Sequence, residues 1–441
     1  MNRNVNLAAV VFMVLSFSMS FLSGCGKPKS SKPVLRYSSG SHIVYDQIRK
    51  QQSESFQSKH PEITVKFEPV PQADGTITNK LLTQMSGGTE PDVFYMDSNY
   101  FNTLVRKKVL LDLTPYIEND KEFNAKDIYP KAQDCYKYND KIYGVPGNLN
   151  VIVLFYNKKL FDKEGLKYPD STWTWEKFMD VAKKLTKKDA SGNTTQYGVM
   201  IAEEPFSIVM CEVFGGKMFN ADKTKCTINN QKCAQAFDFV HDMIHKYHVT
   251  PTPAEREQTT GYAQAFFTEK VAMFFSGVWI RTELRKQVNL HWGMALAPKN
   301  SEGKRVVQID HHGWAASART KNPELAAELI KELTSVEGVK RMVELGDSIP
   351  DRKSQAGADY FINDPRYPQE AEMNKMFIGS IKDGFNISQT WPPYIPYGEI
   401  YEIYKQGIRR YALTDKKNTQ EFLLTTENQM NKLIDSYKNK K

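Results

Sequence analysis

From residue 34 onward, short apolar runs of strand length are interleaved with longer stretches of helical period. Val34-Leu35-Arg36-Tyr37 reads as a strand, followed by a loop at 38–42 and a helix over 44–59. Residues 63–70 alternate apolar and polar, as a strand with one covered face does. A helix is predicted over 76–85 and is stopped by Gly87-Gly88, after which Pro91-Asp92-Val93-Phe94-Tyr95-Met96-Asp97 leads into a third strand. Strands alternating with helices predict parallel α/β units, and in such sheets ligands gather at the carboxyl ends of the strands. The polar residues at those ends, Ser41, His42, Asp97, Asn99 and Tyr100, are candidates for ligand binding. Helix capping is the plain alternative for the same residue types.

The pattern changes at Tyr143-Gly144-Val145-Pro146-Gly147, where glycine and proline rule out a long helix. The run Val151-Ile152-Val153-Leu154-Phe155-Tyr156 has no alternation and predicts a strand covered on both faces. Asn148 and Asn150 stand two apart just before it, so an extended backbone sends both side chains to the same side, where a ligand is read.

Farther along, Thr174 suits the N-cap of a helix with Phe178, Val181, Ala182 and Leu185 on one face. A strand is predicted over 197–201, ending at Glu203-Glu204-Pro205-Phe206. The helix predicted over 234–247 carries His241 and His245 at i, i+4, the spacing of a zinc helix, but with Asp242 in place of the glutamate of H-E-x-x-H. Phe237, Val240, Ile244 and Tyr247 already supply a packing stripe there, so packing is the expected role and no metal is assigned. Trp292, inside a strand-like run, is expected to pack. Adjacent histidines on a strand point to opposite faces, so His311 and His312 make a poor metal pair. Pro323 occupies the favoured first position of a helix with Leu325, Leu329 and Leu333 in register. Trp391 and Tyr394 sit in a proline-braced loop that suits a rigid aromatic anchor. The last two helices, 400–411 and 419–437, are architectural.

Composition adds bounds rather than chemistry. The 441 residues are 25% charged and 40% hydrophobic, enough for two domains with buried cores. The formal charge of +8 is spread along the chain without any nucleic-acid-binding pattern, so no nucleic-acid partner is expected. The N-terminus says more. Arg3 precedes an uncharged apolar run over 7–22, long for a secretory signal and short for a spanning helix, ending in Leu22-Ser23-Gly24-Cys25. That end resembles the bacterial lipobox, which implies cleavage after residue 24, lipid on Cys25, and a polar tether over 25–33. An uncleaved membrane anchor is the alternative; either way the body lies outside the membrane. Of the remaining cysteines, Cys135, Cys211, Cys226 and Cys233, the nearest couple is Cys226 and Cys233, a possible disulfide in an oxidising compartment.

The blocks YGVPGNLNVIVLFYNKKLF and TWTWEKFMDVAKKLT, with GGTEPDVFYMD, LLDLTPYI, AQAFFTEKVAMFFSGVW, HWGMALAP and KNPELAAELIKELTS, span almost the whole mature chain. Together they resemble the extracellular solute-binding proteins, family 1, the sugar-receptor subunits of ABC importers. The resemblance implies an α/β, two-lobed periplasmic-binding-protein-like fold of type II, its lobes joined by a three-segment hinge. Lobe 1 is expected at 34–147 and 276–327, lobe 2 at 148–275 and 328–441, with return crossings at 271–277 and through the helix after Pro323. In maltose-type relatives an acidic-proline-aromatic loop touches sugar, and Glu204 and Phe206 match it. A tryptophan at the position of Trp279 faces the cleft in similar proteins. Asp310, His311 and His312 fall where relatives have a cleft-lining strand.

Sugar recognition needs flat apolar plates for ring C–H faces and planar polar groups for hydroxyls. Trp279, Phe206 and Trp391 are the expected plates, and Asp97, Asn148, Asn150, Glu204, Asp310 and the two histidines the expected polar groups. The implied protein is a monomeric, lipid-anchored receptor on the outer face of the cell membrane. It would pass a carbohydrate, an oligosaccharide, to an ABC permease, using no cofactor and no catalytic residue. Two rivals stand beside it, a secreted glycoside hydrolase and a carbohydrate-sensing surface protein. A hydrolase needs two carboxylates facing each other across a bond, whereas Glu203 and Glu204 are neighbours expected to point apart. No G-x-S-x-G, intact H-E-x-x-H or phosphate-binding loop is present.

Overall fold

The strand Val145–Asn157 is thirteen residues long because nothing in it breaks a ladder after Gly147, and it changes partners along its length within one seven-stranded sheet. Its first part pairs antiparallel with Ile309–Ala316, from Val145 opposite Trp314 to Val151 opposite Ile309. Its later part pairs with Met273–Gly277 along one edge and with Trp292–Ala295 along the other. This is a computed structural model, and it describes residues 32–41, 43–71, 76–258, 261–381 and 384–438. Cys25, the preceding apolar run, and His42 lie outside the described residues. Among those described, no helix is long and apolar enough to cross a membrane.

Beyond Ile309–Ala316 the sheet continues through Val93–Asp97 and Val34–Ser41 to Thr64–Pro71. Val34–Ser41 runs parallel to both of its neighbours, as predicted from the strand and helix alternation. One face of this first body buries Leu35, Tyr37, Val93 and Trp314 against Phe56 and the helix Pro323–Leu333, and the other buries Phe94, Met96, Phe101 and Tyr136. The second body packs the helices Trp175–Leu185, Glu203–Val213 and Gln231–His241 against the C-terminal helices Tyr397–Leu413 and Thr419–Lys438, around Phe178, Phe237, Tyr404, Ile408 and Met430.

Side-chain alternation along the long strand now has a physical reading. Leu149, Val151, Val153 and Phe155 enter a core between the bodies with Val278, Leu284, Ile349, Phe361 and Phe377. Leu154 and Tyr156, on the opposite face, enter the core of the second body. Asn148 and Asn150 share that opposite face, earlier along the strand, where no core covers it.

Several expected boundaries move. Residues 276–308 stay with the second body, because Met273–Gly277 and Trp292–Ala295 both pair with the later half of the long strand, and Lys299 N–H donates to the Trp173 carbonyl at 2.8 Å. The backbone returns at Ile309–Ala316, not at 271–277. The helix Pro323–Leu333 remains in the first core, so residue 327 is no boundary, and the third passage follows it, where Ile349 bridges to Leu149. Residues 197–201 make only isolated bridges to Val271 and Phe274 instead of a strand, and Glu203-Glu204-Pro205 is the first turn of a helix, not a loop.

No disulfide joins Cys226 to Cys233. Cys135, Cys211, Cys226 and Cys233 are all free and buried; Cys226 packs its sulfur 3.5 Å from that of Met430. Asn230 approaches the Cys233 sulfur at 3.2 Å. His241 and His245 place their Nε2 atoms 3.0 Å and 2.9 Å from the carbonyls of Thr414 and Ala412, so they cap the end of a helix, where carbonyls lack partners.

Candidate functional site

The carboxyl ends of the first-body strands, the crossing strand and two second-body segments enclose a cavity of about 830 Å³. Ser39, Gly40, Tyr95, Asp97 and Tyr100 line it from the first body, with Tyr45 and Arg49 from the helix Ile43–Lys59. Asn148, Asn150, His312 and Asp347 lie at the crossing. Glu204, Trp279, Tyr397, Tyr401 and Arg409 face them from the second body.

Hydrogen bonds fix the polar groups before any ligand arrives. Asp347 accepts from the Tyr45 hydroxyl and, at 2.8 Å, from Asn148 Nδ2, while Asn150 Nδ2 donates to Asn148 Oδ1. Burial raises the Asp347 carboxyl above its usual range, against those hydrogen bonds and the charge of Arg49. Asn150 Oδ1 is buried without a hydrogen-bond partner. Asp97 caps the helix Ser98–Arg106, accepting from Asn99 N–H at 2.8 Å, and its Oδ2 lies 4.0 Å from His312 Nε2. The His312 ring stacks on Tyr95 at 5.3 Å with only 2° between planes. Glu204 accepts from Arg409 Nε at 2.8 Å.

Trp279 is 37% exposed, unusual for a side chain of its size, and divides this cavity from a second of about 750 Å³. The second chamber is walled by Ile152, Trp175, Phe206, Phe274 and Phe275, with Gln308 and Asp310 among its polar lining residues. Trp175 stacks on Phe275 at 5.8 Å and meets Phe206 edge-on at 5.8 Å. Asp310 accepts from Gln308 Nε2 at 3.1 Å, and desolvation pushes its carboxyl up to about 6.

The indole of Trp279 folds back over Gly277, where an added Cβ would lie 1.8 Å from a ring carbon. Gly277→Ala therefore expels the indole from its place between the chambers. In titration calorimetry its ligand affinity is expected to fall at least about tenfold, the scale of losing one well-packed anchor. Unchanged affinity would show that the indole position does not matter.

Of the residues singled out from sequence, Asp97, Tyr100, Asn148, Asn150, Glu204, Trp279 and His312 come together in the first chamber, and Phe206 and Asp310 in the second. Four others point elsewhere, and Asn99 spends its donors on Asp97 outside the cavity lining. Ser41 donates to Asp46 at 2.7 Å. His311 takes the opposite face of its strand, 1% exposed, with neither ring nitrogen hydrogen-bonded; desolvation lowers its pKa to about 3 and keeps it neutral. Trp391 is buried edge-on against Tyr401 at 5.6 Å and Tyr404 at 5.8 Å, so it backs the aromatic wall instead of forming it. Tyr394 donates to the Lys223 carbonyl at 3.0 Å, away from both chambers.

The wall is Tyr397 and Tyr401, stacked at 4.9 Å, with Tyr100 of the other body edge-on to Tyr397 at 5.1 Å. Tyr397, Tyr401 and Tyr404 follow an i, i+4, i+7 spacing that was available in the sequence. The predicted helix began three residues too late to include the first of them.

Two α/β bodies hung on a shared strand, with a polar and aromatic cleft between them, define a bilobal binding protein. The chain belongs to the bacterial extracellular solute-binding proteins, whose family model matches residues 51–369. It is similar to the galactooligosaccharide-binding protein of Bacillus subtilis (strain 168), 26% identical over 369 residues, covering 80% of this chain and 82% of that one. Among solved structures, it resembles an ABC substrate-binding protein from Listeria monocytogenes in complex with cycloalternan, with a TM-score of 0.78 and 24% identity over 91% of this chain and 99% of that one. It also resembles the Thermus thermophilus maltotriose binding protein bound with maltotriose, with a TM-score of 0.71 and 20% identity over 91% of this chain and 100% of that one.

Proposed function

We propose that this chain is the substrate-binding subunit of an ABC importer that captures an oligosaccharide between its lobes and delivers it to a membrane permease without changing it. The observation that carries this reading is the first chamber itself. Amide and carboxyl groups held by Tyr45, Asp347, Asn148 and Asn150 lie across from the aromatic surfaces of Trp279, Tyr397 and Tyr401. Hydroxyls demand the first set and ring C–H faces the second. Two chambers meeting at one indole favour a ligand longer than one ring, and the similar proteins named above bind galactooligosaccharide, cycloalternan and maltotriose.

On this reading the cleft carboxylates hold the ligand and cleave nothing. Glu203, the neighbour of Glu204, is buried in an ion pair with Arg256, its Oε1 accepting from Nη2 at 2.7 Å. Lipid attachment at Cys25 on the outer face of the cell membrane belongs to the same reading and rests on the Leu22-Ser23-Gly24-Cys25 pattern.

Titration calorimetry of the purified protein against malto- and galactooligosaccharides and their monosaccharides tests it. Saturable one-to-one heat with at least one oligosaccharide, recovered intact by chromatography, is the expected result. Shortened products would instead establish a glycoside hydrolase, and no heat with any saccharide would remove carbohydrate as the ligand.

A further inference from the structure

Behind Trp279 lies a buried arginine whose donors converge on the backbone of two cleft-bearing segments. Arg281 is 1% exposed. Its Nε is shared between the carbonyl of Val278, which precedes Trp279, at 3.2 Å and that of Gly346, which precedes Asp347, at 3.1 Å. Nη2 reaches the carbonyl of Ser348, on the other side of Asp347, at 3.4 Å. Nη1 is anchored by Glu370 and Asn374, both at 2.9 Å. Arg285 donates to the same Glu370 carboxylate at 2.9 and 2.7 Å and to the Glu344 carbonyl at 2.9 Å.

Close approach at the loop gives independent support for a tight clamp. Gly346 has φ +84°, and an added Cβ would lie 2.7 Å from Arg285 Cζ and 3.1 Å from Arg281 Cβ. The loop carrying Asp347 is thus pressed against both arginines. One planar fork holds the carbonyl before the indole and the two carbonyls flanking the carboxylate, which no single-point ammonium reproduces.

We propose that Arg281 is a positioning residue of the binding cleft, fixing Trp279 and Asp347 relative to one another from a place the ligand does not reach. This rests on the carbohydrate-binding reading for its affinity test, but not for its spectroscopic one.

The test compares Arg281→Lys with Arg352→Lys. Arg352 is another buried arginine clamping backbone carbonyls, those of Thr334 at 3.1 Å and Phe123 at 3.0 Å, neither of them beside a cleft residue. Each purified variant is titrated with maltotriose and with a galactotriose, and its melting temperature is recorded. In parallel, both variants are labelled with 5-fluorotryptophan, and the Trp279 fluorine resonance is assigned by its loss in Trp279→Phe. Arg281→Lys is expected to weaken binding by about tenfold, the scale of supporting groups behind a binding shell, and to shift the Trp279 resonance in the ligand-free protein. Arg352→Lys is expected to leave both within error, even where its melting temperature falls as far.

Equal losses of affinity in both variants, or an Arg281→Lys protein with unchanged affinity and an unmoved Trp279 resonance, would overturn the proposal. If the parent protein binds neither sugar, the fluorine spectra alone decide: a shift confined to Arg281→Lys supports the clamp and an unmoved line rejects it.

Discussion

Trp279→Ala is expected to raise the dissociation constant for the bound saccharide by about thirtyfold, or ~2 kcal/mol, the range of a central aromatic anchor, with the melting temperature unchanged. The two halves of this expectation have separate causes. The indole lines both chambers, so its removal takes a ring-stacking surface from the middle of the cleft. It also leaves stability nearly untouched, because the side chain is 37% exposed and belongs to none of the hydrophobic cores. Calorimetric titration and thermal unfolding of the same preparation check both halves. A falling melting temperature with unchanged affinity would make Trp279 a structural residue and move the ligand elsewhere.

The second large effect concerns stability. Asp351, at the third passage between the bodies, is 2% exposed, and neither carboxylate oxygen has a hydrogen-bond partner. Desolvation, only partly offset by the charge of Arg352, pushes its carboxyl up to about 7. The sign follows from linkage. A carboxyl raised in the folded state ionises more readily in the unfolded chain, so it costs the fold nothing below about pH 4. Its cost grows as pH rises towards the folded value and is complete above it. Relative to an unfolded value of about 4, that cost is on the order of 4 kcal/mol. Asp351→Asn removes the charge, so its melting temperature is expected to exceed the parent's by several degrees at pH 8 and to converge with it near pH 4. Parallel melting curves across that window would mean that the carboxylate is solvated or paired in solution.

How much of this was legible beforehand depends on how far apart in the chain the contributing groups stand. Asn148 and Asn150 could be read as a pair because two residues of extended backbone settle their common direction. Asp97 was legible as the polar residue ending a parallel strand, and it both caps a helix and lines the cavity. His311 and His312 show the limit of local pattern: alternation told that they diverge, but only the packing of the sheet decided that His312 meets the cleft. Asp347, Tyr45 and Arg49 carry no local signal, because only tertiary structure brings them to the cavity. One sits on a loop 199 residues from Asn148, and the others are on the first helix. Trp391 turns inward for a related reason, since a rigid proline-braced loop presents an indole inward as readily as outward. The expected return at 271–277 failed because an apolar strand followed by glycine looks the same whether it changes lobes or stays at home.

The thirteen-residue strand has one more implication. Its odd-numbered side chains, Leu149 to Phe155, fill a core to which both halves of the molecule contribute, and apart from the bulge opposite His312 and Gly313 it stays hydrogen-bonded to its neighbours along its length. Relative movement of the halves therefore has to be taken up as twist distributed over a hydrogen-bonded ribbon, not as swivelling about a slack linker. A ligand that draws the halves together does so by reshaping that strand, and part of its binding free energy goes into the reshaping.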